Sequence, residues 1–378
     1  AFDSPTEEIM NPIQIPEHIK KLVPYKAGKP IDELAREKGL TRIVKLASNE
    51  NPLGPSPAAI KALTAHFENL HRYTDPSAYD LISAISQKYQ MPRAHIVTAS
   101  GSDALIQYLL STFVGHDDEV LSSHGTFIGW YVNVNKYGYK SLLAPMKDYG
   151  YDLDAMASMI TPKTKLIYIA NPNNPTGTMI SRQELEKFFS KVPPHILICL
   201  DEAYTVFAQE FPDYPNGLNY KMDNLIVLRT MSKDYGLAGL RIGIGFGPEA
   251  LIRELYKVKL PFEPNALAQA AAIAALQDDD FILRTQKVNR ESLMRMREEL
   301  TKIGIPYTKS AANFLLLLFE NEAVASRFNE ECMNRGLILR HVITFGIPNG
   351  IRMNSGTPEE TEFALQVIRE VWELLKNS

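Results

Sequence analysis

A chain of 378 residues with 45% hydrophobic content can bury a substantial core, and its length predicts about two domains. Its formal net charge of −4 leaves no basic excess for nucleic acid, and no long apolar run predicts a membrane helix. Its cysteines, Cys199 and Cys332, exclude a disulfide scaffold and a cysteine-rich metal site, so we expect a cytoplasmic protein that acts on small molecules and holds no metal.

Residues 1–45 are rich in proline and irregular, and we expect them to form an N-terminal arm that joins the smaller domain. From about residue 95, apolar runs rich in β-branched residues alternate with amphipathic helical stretches, which is typical of a mainly parallel, doubly wound sheet in an α/β fold. The predicted strands are HIVTAS (95–100), DEVLSS (118–123), KSLLAP (140–145), KLIYIANP (165–172), ILICLDEAY (196–204), LIVLRT (225–230) and RIGIGF (241–246). We assign them to a large cofactor-binding domain that spans 46–277.

The pattern changes after residue 277. A long charged helical segment covers 278–303 and is followed by a strand-like NFLLLLF (313–319), a helix through residue 335 and a final helix from Pro358. This pattern predicts that residues 278–378 form a smaller C-terminal α+β domain.

Polar clusters follow four of the predicted strands, where ligands bind in open α/β sheets. They are SGSD (100–103), NPNNPTG (171–177), DEAY (201–204) and TMSKDYGLAGLR (230–241). Each has an ordinary explanation as a helix cap, a turn or a solvated loop. Four such clusters at strand ends are harder to explain in that way and together predict a ligand site.

The last cluster predicts a reactive lysine beside a phosphate. Lys233 lies close in sequence to Thr230, Ser232 and Arg241. A desolvated lysine near other cations has a lowered pKa and attacks aldehydes. Hydroxyl groups and an arginine suit a phosphate.

The other clusters supply complementary groups. Asp201 ends an apolar run, where a carboxylate needs a partner, and a pyridinium nitrogen would be a fitting one. Tyr204 could donate a hydrogen bond to a phenolate oxygen on the pyridinium ring that carries this nitrogen. We expect Asn174 to have a hydrogen-bonding role, and Ser102 opens a helix either as an ordinary cap or as a phosphate ligand.

With these residues the sequence resembles the fold-type-I pyridoxal-phosphate-dependent aminotransferases and, within them, the histidinol-phosphate aminotransferase group. The resemblance covers nearly the whole chain. It rests on VPYKAGKP, KLASNENPLGPSP, HRYTDP, NPNNPTG, DEAY, RTMSKDYGLAGLRIG, PFEPNALAQAAA and GIRMNSGT. It implies a large and a small domain, bound pyridoxal 5'-phosphate and a homodimer with shared active sites.

The resemblance also implies catalytic roles. Lys233 would hold the cofactor as a Schiff base and then move a proton between the substrate's α-carbon and the cofactor's C4′. Asp201 would keep the pyridine nitrogen protonated. Asn174 and Tyr204 would bind the phenolic oxygen, and Phe127 would stack on the ring.

Further residues match the family's phosphate and substrate sites. Those implied around the phosphate are Ser102, Asp103, Thr230, Ser232 and Arg241. Tyr73 would reach that phosphate from the neighbouring subunit. Arg352 would grip an anionic substrate end, and Arg340 would bind a phosphate or distal carboxylate or else form a surface salt bridge. Tyr25 would close over the substrate, and Asn174 would contact it as well.

Three departures from the family's usual pattern bear on the substrate. Asp234 follows the lysine where a small or apolar residue is usual, and its carboxylate could raise the pKa of the Schiff base or discourage an anionic substrate. SHGTF (123–127) and RMNSGT (352–357) also differ from the usual forms.

The function that the resemblance implies is a ping-pong transamination in which L-histidinol phosphate is the amino donor and 2-oxoglutarate the acceptor, as in histidine biosynthesis. An aromatic amino acid aminotransferase is the main alternative, and a phosphothreonine-type decarboxylase is a more distant one. Residues 1–45 lack the length and basic helices of a DNA-binding domain, which disfavours a regulatory binding module. GIGFG (243–247) lacks the spacing of a dinucleotide-binding loop, which disfavours a nicotinamide dehydrogenase.

Overall fold

The computed structural model of the chain describes residues 13–23 and 31–377. The strands are, in chain order, β1 (Val44–Lys45), β2 (Ile96–Ala99), β3 (Glu119–Ser123), β4 (Lys140–Ala144), β5 (Met146–Lys147), β6 (Gly150–Tyr151), β7 (Thr164–Ala170), β8 (Leu197–Asp201), β9 (Leu225–Thr230), β10 (Gly243–Phe246), β11 (Phe314–Leu318), β12 (Leu337–Ile338), β13 (Arg340–His341) and β14 (Gly350–Asn354). Six of the seven runs predicted as strands between 95 and 246 contain one of these strands, and the run 165–172 overlaps β7, which begins one residue earlier at Thr164.

Helices separate most of these strands. They are α1 (Glu17–Lys20), α2 (Ile31–Lys38), α3 (Pro57–His66), α4 (Tyr79–Tyr89), α5 (Ser102–Phe113), α6 (Ile128–Tyr137), α7 (Leu153–Ser158), α8 (Arg182–Phe189), α9 (Thr205–Ala208), α10 (Glu249–Val258), α11 (Ala266–Ala275), α12 (Asp279–Ile303), α13 (Glu322–Asn334) and α14 (Pro358–Lys376). Among the described residues, no helix has the length and apolar character needed to cross a membrane.

A seven-stranded sheet forms the centre of the fold, in the order β2-β10-β9-β8-β7-β3-β4. Neighbouring strands from β9 to β4 run parallel, whereas β10 is antiparallel to both β2 and β9. Alternate residues of β7 enter different cores, with Ile167 and Ile169 on one face and Leu166 and Tyr168 on the other. Helices cover both faces, which confirms the predicted α/β fold.

A smaller three-stranded sheet, β11-β14-β13, packs with the last three helices around a separate core. Asp278 caps α12 by accepting a hydrogen bond from the amide of Phe281, and Thr357 forms a capping box with Glu360 at the start of α14. β1 pairs in parallel with β12 and so joins this part of the chain. The domain bounds 1–45, 46–277 and 278–378 stay a prediction.

Candidate active site

A cavity of about 230 Å³ opens at the carboxyl ends of β7, β8 and β9. It brings together twelve residues that the sequence singles out: Ser102, Asp103, Phe127, Asn174, Asp201, Tyr204, Thr230, Ser232, Lys233, Arg241, Arg340 and Arg352. Parallel strands deliver most of them because their carboxyl ends meet at one edge of the sheet. The pocket thus unites all four polar clusters with two arginines from the small sheet.

Lys233 follows β9, and its Nζ donates a hydrogen bond to the carbonyl oxygen of Ser48 at 3.1 Å. Desolvation in the pocket, together with repulsion from Arg352, lowers the pKa of Lys233 to about 8. At pH 7 a larger fraction of this amine than of an ordinary lysine is therefore unprotonated, and the unprotonated amine is the form that attacks an aldehyde.

Asp201 ends β8 and is buried, with an exposed fraction of 4%. One carboxylate oxygen accepts a hydrogen bond from the Tyr168 hydroxyl at 2.7 Å, and the other accepts from the Ala203 amide at 3.1 Å. Burial raises the pKa of Asp201 to about 6, although the bond from Tyr168 opposes the rise. The carboxyl is thus mostly ionised at neutral pH and would be stabilised further by a cationic ring nitrogen.

The Tyr204 hydroxyl accepts two hydrogen bonds, from Asn49 Nδ2 at 2.8 Å and from Asn174 Nδ2 at 3.2 Å. Burial raises the pKa of Tyr204 to about 12, so the phenol keeps its proton. Because the hydroxyl oxygen accepts hydrogen bonds from both amides, its proton is available to a further acceptor. A phenolic oxygen bound in the pocket would be such an acceptor.

A cluster of donors suits a phosphate group. Thr230 Oγ1 donates to Ser232 Oγ at 2.9 Å, and Arg241 Nη1 donates to the same Ser232 Oγ at 3.5 Å. Helix α5 begins at Ser102, and the amides and positive dipole of its first turn favour an anion. Arg241 Nη2 lies 3.9 Å from Asp103 Oδ2, so a carboxylate already neighbours this guanidinium.

Pyridoxal phosphate, the cofactor expected from the sequence, fits these groups. Three of its groups need partners in the protein: the aldehyde needs an amine, the ring nitrogen needs a carboxylate and the phosphate needs hydrogen-bond donors. Lys233, Asp201 and the cluster around Arg241 supply all three within one cavity.

Arg340 and Arg352 reach the same pocket from neighbouring strands. They are register partners in the antiparallel pair β13-β14, which places their side chains side by side. Arg352 donates to Asn174 Oδ1 and, at 2.8 Å, to the Ala47 carbonyl oxygen. The ring centroid of Phe345 lies 5.9 Å from the guanidinium carbon of Arg340 and 5.7 Å from that of Arg352. Both cations therefore lie within cation–π distance of the same aromatic ring.

Two described residues that were discussed from the sequence, Tyr73 and Asp234, do not line this cavity. Tyr73 is 85% exposed and stacks on Phe262 with ring centroids 4.4 Å apart. Tyr25 lies outside the described residues. Asp234 is buried but is not among the described residues that line the pocket, and burial raises the pKa of its carboxyl to about 7. Its expected effect on the lysine stays a prediction.

Sequence reasoning assigned no role to several pocket residues, namely Ala47, Ser48, Asn49, Tyr168 and Phe345. The first three lie within the motif KLASNENPLGPSP, and membership of that motif is the sequence feature that could have identified them as pocket residues. Tyr168 lies inside an apolar strand run, where an aromatic residue is more often part of the core.

Residues 41–368 match the family model for class I and II aminotransferases. The chain is 40% identical over 349 residues to histidinol-phosphate aminotransferase 2 of Ralstonia nicotianae, an alignment that covers 91% of this chain and 93% of the relative. It is 41% identical over 345 residues to histidinol-phosphate aminotransferase 1 of Mannheimia succiniciproducens, covering 91% and 94% of the two chains.

The fold matches solved structures as well. The histidinol-phosphate aminotransferase of Sinorhizobium meliloti in complex with pyridoxal-5'-phosphate superposes with a TM-score of 0.88 at 26% identity, covering 96% of this chain and 98% of that one. An aspartate aminotransferase of Thermus thermophilus gives a TM-score of 0.82 at 19% identity, over 95% and 100% of the two chains, which supports the fold alone. The chain belongs to the class I and II aminotransferase family.

Proposed function

We propose that this protein is a pyridoxal-phosphate-dependent aminotransferase that moves the amino group of L-histidinol phosphate to 2-oxoglutarate. The observation that carries the proposal is the pairing of Arg340 and Arg352 in the pocket that holds Lys233. Two adjacent cations suit a phosphorylated donor and, in the second half of a ping-pong cycle, a dicarboxylate acceptor. The relatives from Ralstonia and Mannheimia support the same donor.

When bound, pyridoxal phosphate supplies an aldehyde that takes up amino groups and a ring that withdraws electrons from the substrate. Lys233 Nζ would hold the aldehyde group of the cofactor and would carry the proton between the substrate's α-carbon and the cofactor. Asp201 would keep the proton on the ring nitrogen. Tyr204 and Asn174 would bind the phenolic oxygen, and Phe127 would cover the ring.

Other residues hold the anionic ends. The phosphate of the cofactor would be bound by Ser102, Asp103, Thr230, Ser232 and Arg241, the first two through the amides at the start of α5. Arg352 binds an anionic end of the substrate and keeps Asn174 in place through their hydrogen bond. Arg340 binds the phosphate of the donor or the distal carboxylate of the acceptor.

We further propose a homodimer in which Tyr73 completes the phosphate site of the neighbouring subunit. Tyr73 is highly exposed beside Phe262, and Leu70 and Leu260 nearby in sequence are each 58% exposed. Such exposed apolar side chains are typical of a protein interface. The two free, buried cysteines, Cys199 and Cys332, support a site of action in the cytoplasm.

The test is the ratio kcat/KM for L-histidinol phosphate, L-phenylalanine and phosphothreonine, each with 2-oxoglutarate as acceptor. We expect the highest ratio with L-histidinol phosphate, accompanied by glutamate formation. A higher ratio with L-phenylalanine would indicate an aromatic amino acid aminotransferase. Carbon dioxide release from phosphothreonine without glutamate formation would indicate a decarboxylase.

A further inference from the structure

A buried hydrogen bond joins Tyr168 to the carboxylate at the end of the neighbouring strand. The Tyr168 hydroxyl donates to Asp201 Oδ2 at 2.7 Å, and both side chains are almost entirely removed from solvent. The other oxygen of Asp201 accepts from the amide of Ala203. The carboxylate is therefore held from two sides.

The sheet register produces this contact. Ala170 of β7 is the Cα partner of Asp201 on β8, and Tyr168 lies two residues before Ala170. Residues two apart on a strand share a face, so Tyr168 and Asp201 project to the same side of the sheet. A shift of either strand by one residue would separate them.

Trp130 of α6 fixes the orientation of the phenol. Its ring stacks on that of Tyr168 with centroids 4.7 Å apart and an interplanar angle of 9°. Both rings are buried in the core between the sheet and α6. The stacking restricts the Tyr168 ring, and with it the position of the hydroxyl.

The phenol can act only as a donor to Asp201. Burial, together with the charge of Asp201, raises the pKa of Tyr168 well above its ordinary value, so its hydroxyl stays protonated. A charge-assisted hydrogen bond of this kind favours the ionised form of a buried carboxyl.

We propose that Tyr168 is a positioning residue that acts through Asp201 to keep the ring nitrogen of pyridoxal phosphate protonated. The inference rests on the proposed function. Asp201 must remain an anion for the proton to stay on the ring nitrogen, and the donor hydrogen bond from Tyr168 stabilises that anion. Without it, burial would shift the shared proton towards Asp201 and leave the ring a weaker electron acceptor.

The test uses the full-length protein loaded with pyridoxal phosphate labelled with ¹⁵N in the ring. In the parent protein we expect the ¹⁵N chemical shift of a protonated pyridine. In Tyr168→Phe, which keeps the ring that stacks on Trp130, we expect a clear displacement towards the unprotonated position at the same pH.

A second measurement compares the affinities of the cofactor-free protein for pyridoxal phosphate and for its 1-deaza analogue, which lacks the ring nitrogen. Tyr168→Phe should reduce the preference for pyridoxal phosphate by about tenfold, the effect of one hydrogen bond to a charged group. A general structural defect would lower the affinity for both ligands to the same extent.

Tyr151→Phe is the matched control. The Tyr151 hydroxyl accepts a hydrogen bond from the Ala170 amide of the same strand at 2.9 Å and contacts Thr126 Oγ1. We expect this variant to keep the parent's ¹⁵N shift and ligand preference. A protonated ring nitrogen and an unchanged preference in Tyr168→Phe would overturn the inference alone. A parent protein that binds no pyridoxal phosphate would contradict the proposed function and the inference together.

Discussion

A Cβ atom at Gly101 would lie 2.5 Å from Nη2 of Arg241, so the guanidinium occupies the space that a side chain at position 101 would need. Gly101 also has a φ of +91°, a conformation that other residues rarely adopt. The glycine therefore allows both the turn into α5 and the approach of the arginine to the proposed phosphate site.

Gly101→Ala should weaken pyridoxal phosphate binding by roughly tenfold or more, because the arginine must move and a charge-assisted hydrogen bond to the phosphate is lost. Equilibrium titration of the cofactor-free protein measures the change. Gly239→Ala is the control, since a Cβ there meets no atom within 4 Å. Equal affinities of the parent and Gly101→Ala would contradict the placement of the phosphate beside Arg241.

The rate at which the cofactor-free protein captures pyridoxal phosphate should depend on pH through Lys233. The neutral amine is the reactive form, so the rate should rise with pH, with a midpoint near the lysine pKa of about 8, and level off above it. An ordinary lysine would give a midpoint near 10.4. Stopped-flow absorbance from pH 6 to pH 10 follows the reaction.

Arg352→Gln tests whether this arginine contributes to the lowered pKa of Lys233. Removal of this cation should raise the pKa of Lys233 and move the midpoint to higher pH, since repulsion from Arg352 contributes to the lowering. A parent rate that still rises steeply at pH 10 would show that the pocket does not lower the pKa of the lysine.

The substitution Arg340→Gln should affect the KM values of the two amino donors differently. We expect KM to rise about tenfold or more for L-histidinol phosphate, because an ionic hydrogen bond to its phosphate is lost. KM for L-phenylalanine, which has no second anionic group, should change little. Arg327→Gln, an exposed substitution on α13, serves as the control. Equal effects of Arg340→Gln on both donors would assign Arg340 a structural role instead.

Arg229→Met should destabilise the fold because it removes one partner of a buried ion pair next to the active-site strands. Arg229 Nη2 lies 2.7 Å from Glu202 Oε2, and the side chains are 6% and 0% exposed. Breaking such a pair costs about 3–5 kcal/mol, since the remaining charge stays buried. Urea denaturation should report this loss in the free energy of unfolding.

The double variant Glu202→Gln with Arg229→Met should recover part of that loss, because it leaves no uncompensated charge. If Arg229→Met alone unfolds at the same urea concentration as the parent, the ion pair makes no net contribution to stability.

The central sheet was predictable because its buried strands are continuous apolar runs ended by polar residues. The antiparallel direction of β10 was not predicted. It depends on the short return from Thr230 to Gly243, which contains no α-helix and which no apolar pattern marks.

The site was predictable where a polar residue lies at the end of a strand, as Asp201 does, or a few residues beyond it, as Lys233 does. It was not predictable where the contact depends on the tertiary fold. Asn49 meets Tyr204 from 155 residues away along the chain. Tyr168 looks like any core aromatic residue until the register of β7 and β8 places it beside Asp201. The roles assigned to these residues stay proposals.

The most direct test of the proposed transamination is the absorbance spectrum of the purified protein with pyridoxal phosphate, before and after L-histidinol phosphate is added without a 2-oxo acid. We predict that the visible band of the bound aldehyde form disappears, and that 2-oxoglutarate restores it. Lys233→Ala should bind some cofactor but show no turnover. A parent protein whose visible band never forms, or is unchanged by L-histidinol phosphate, would contradict the proposed function.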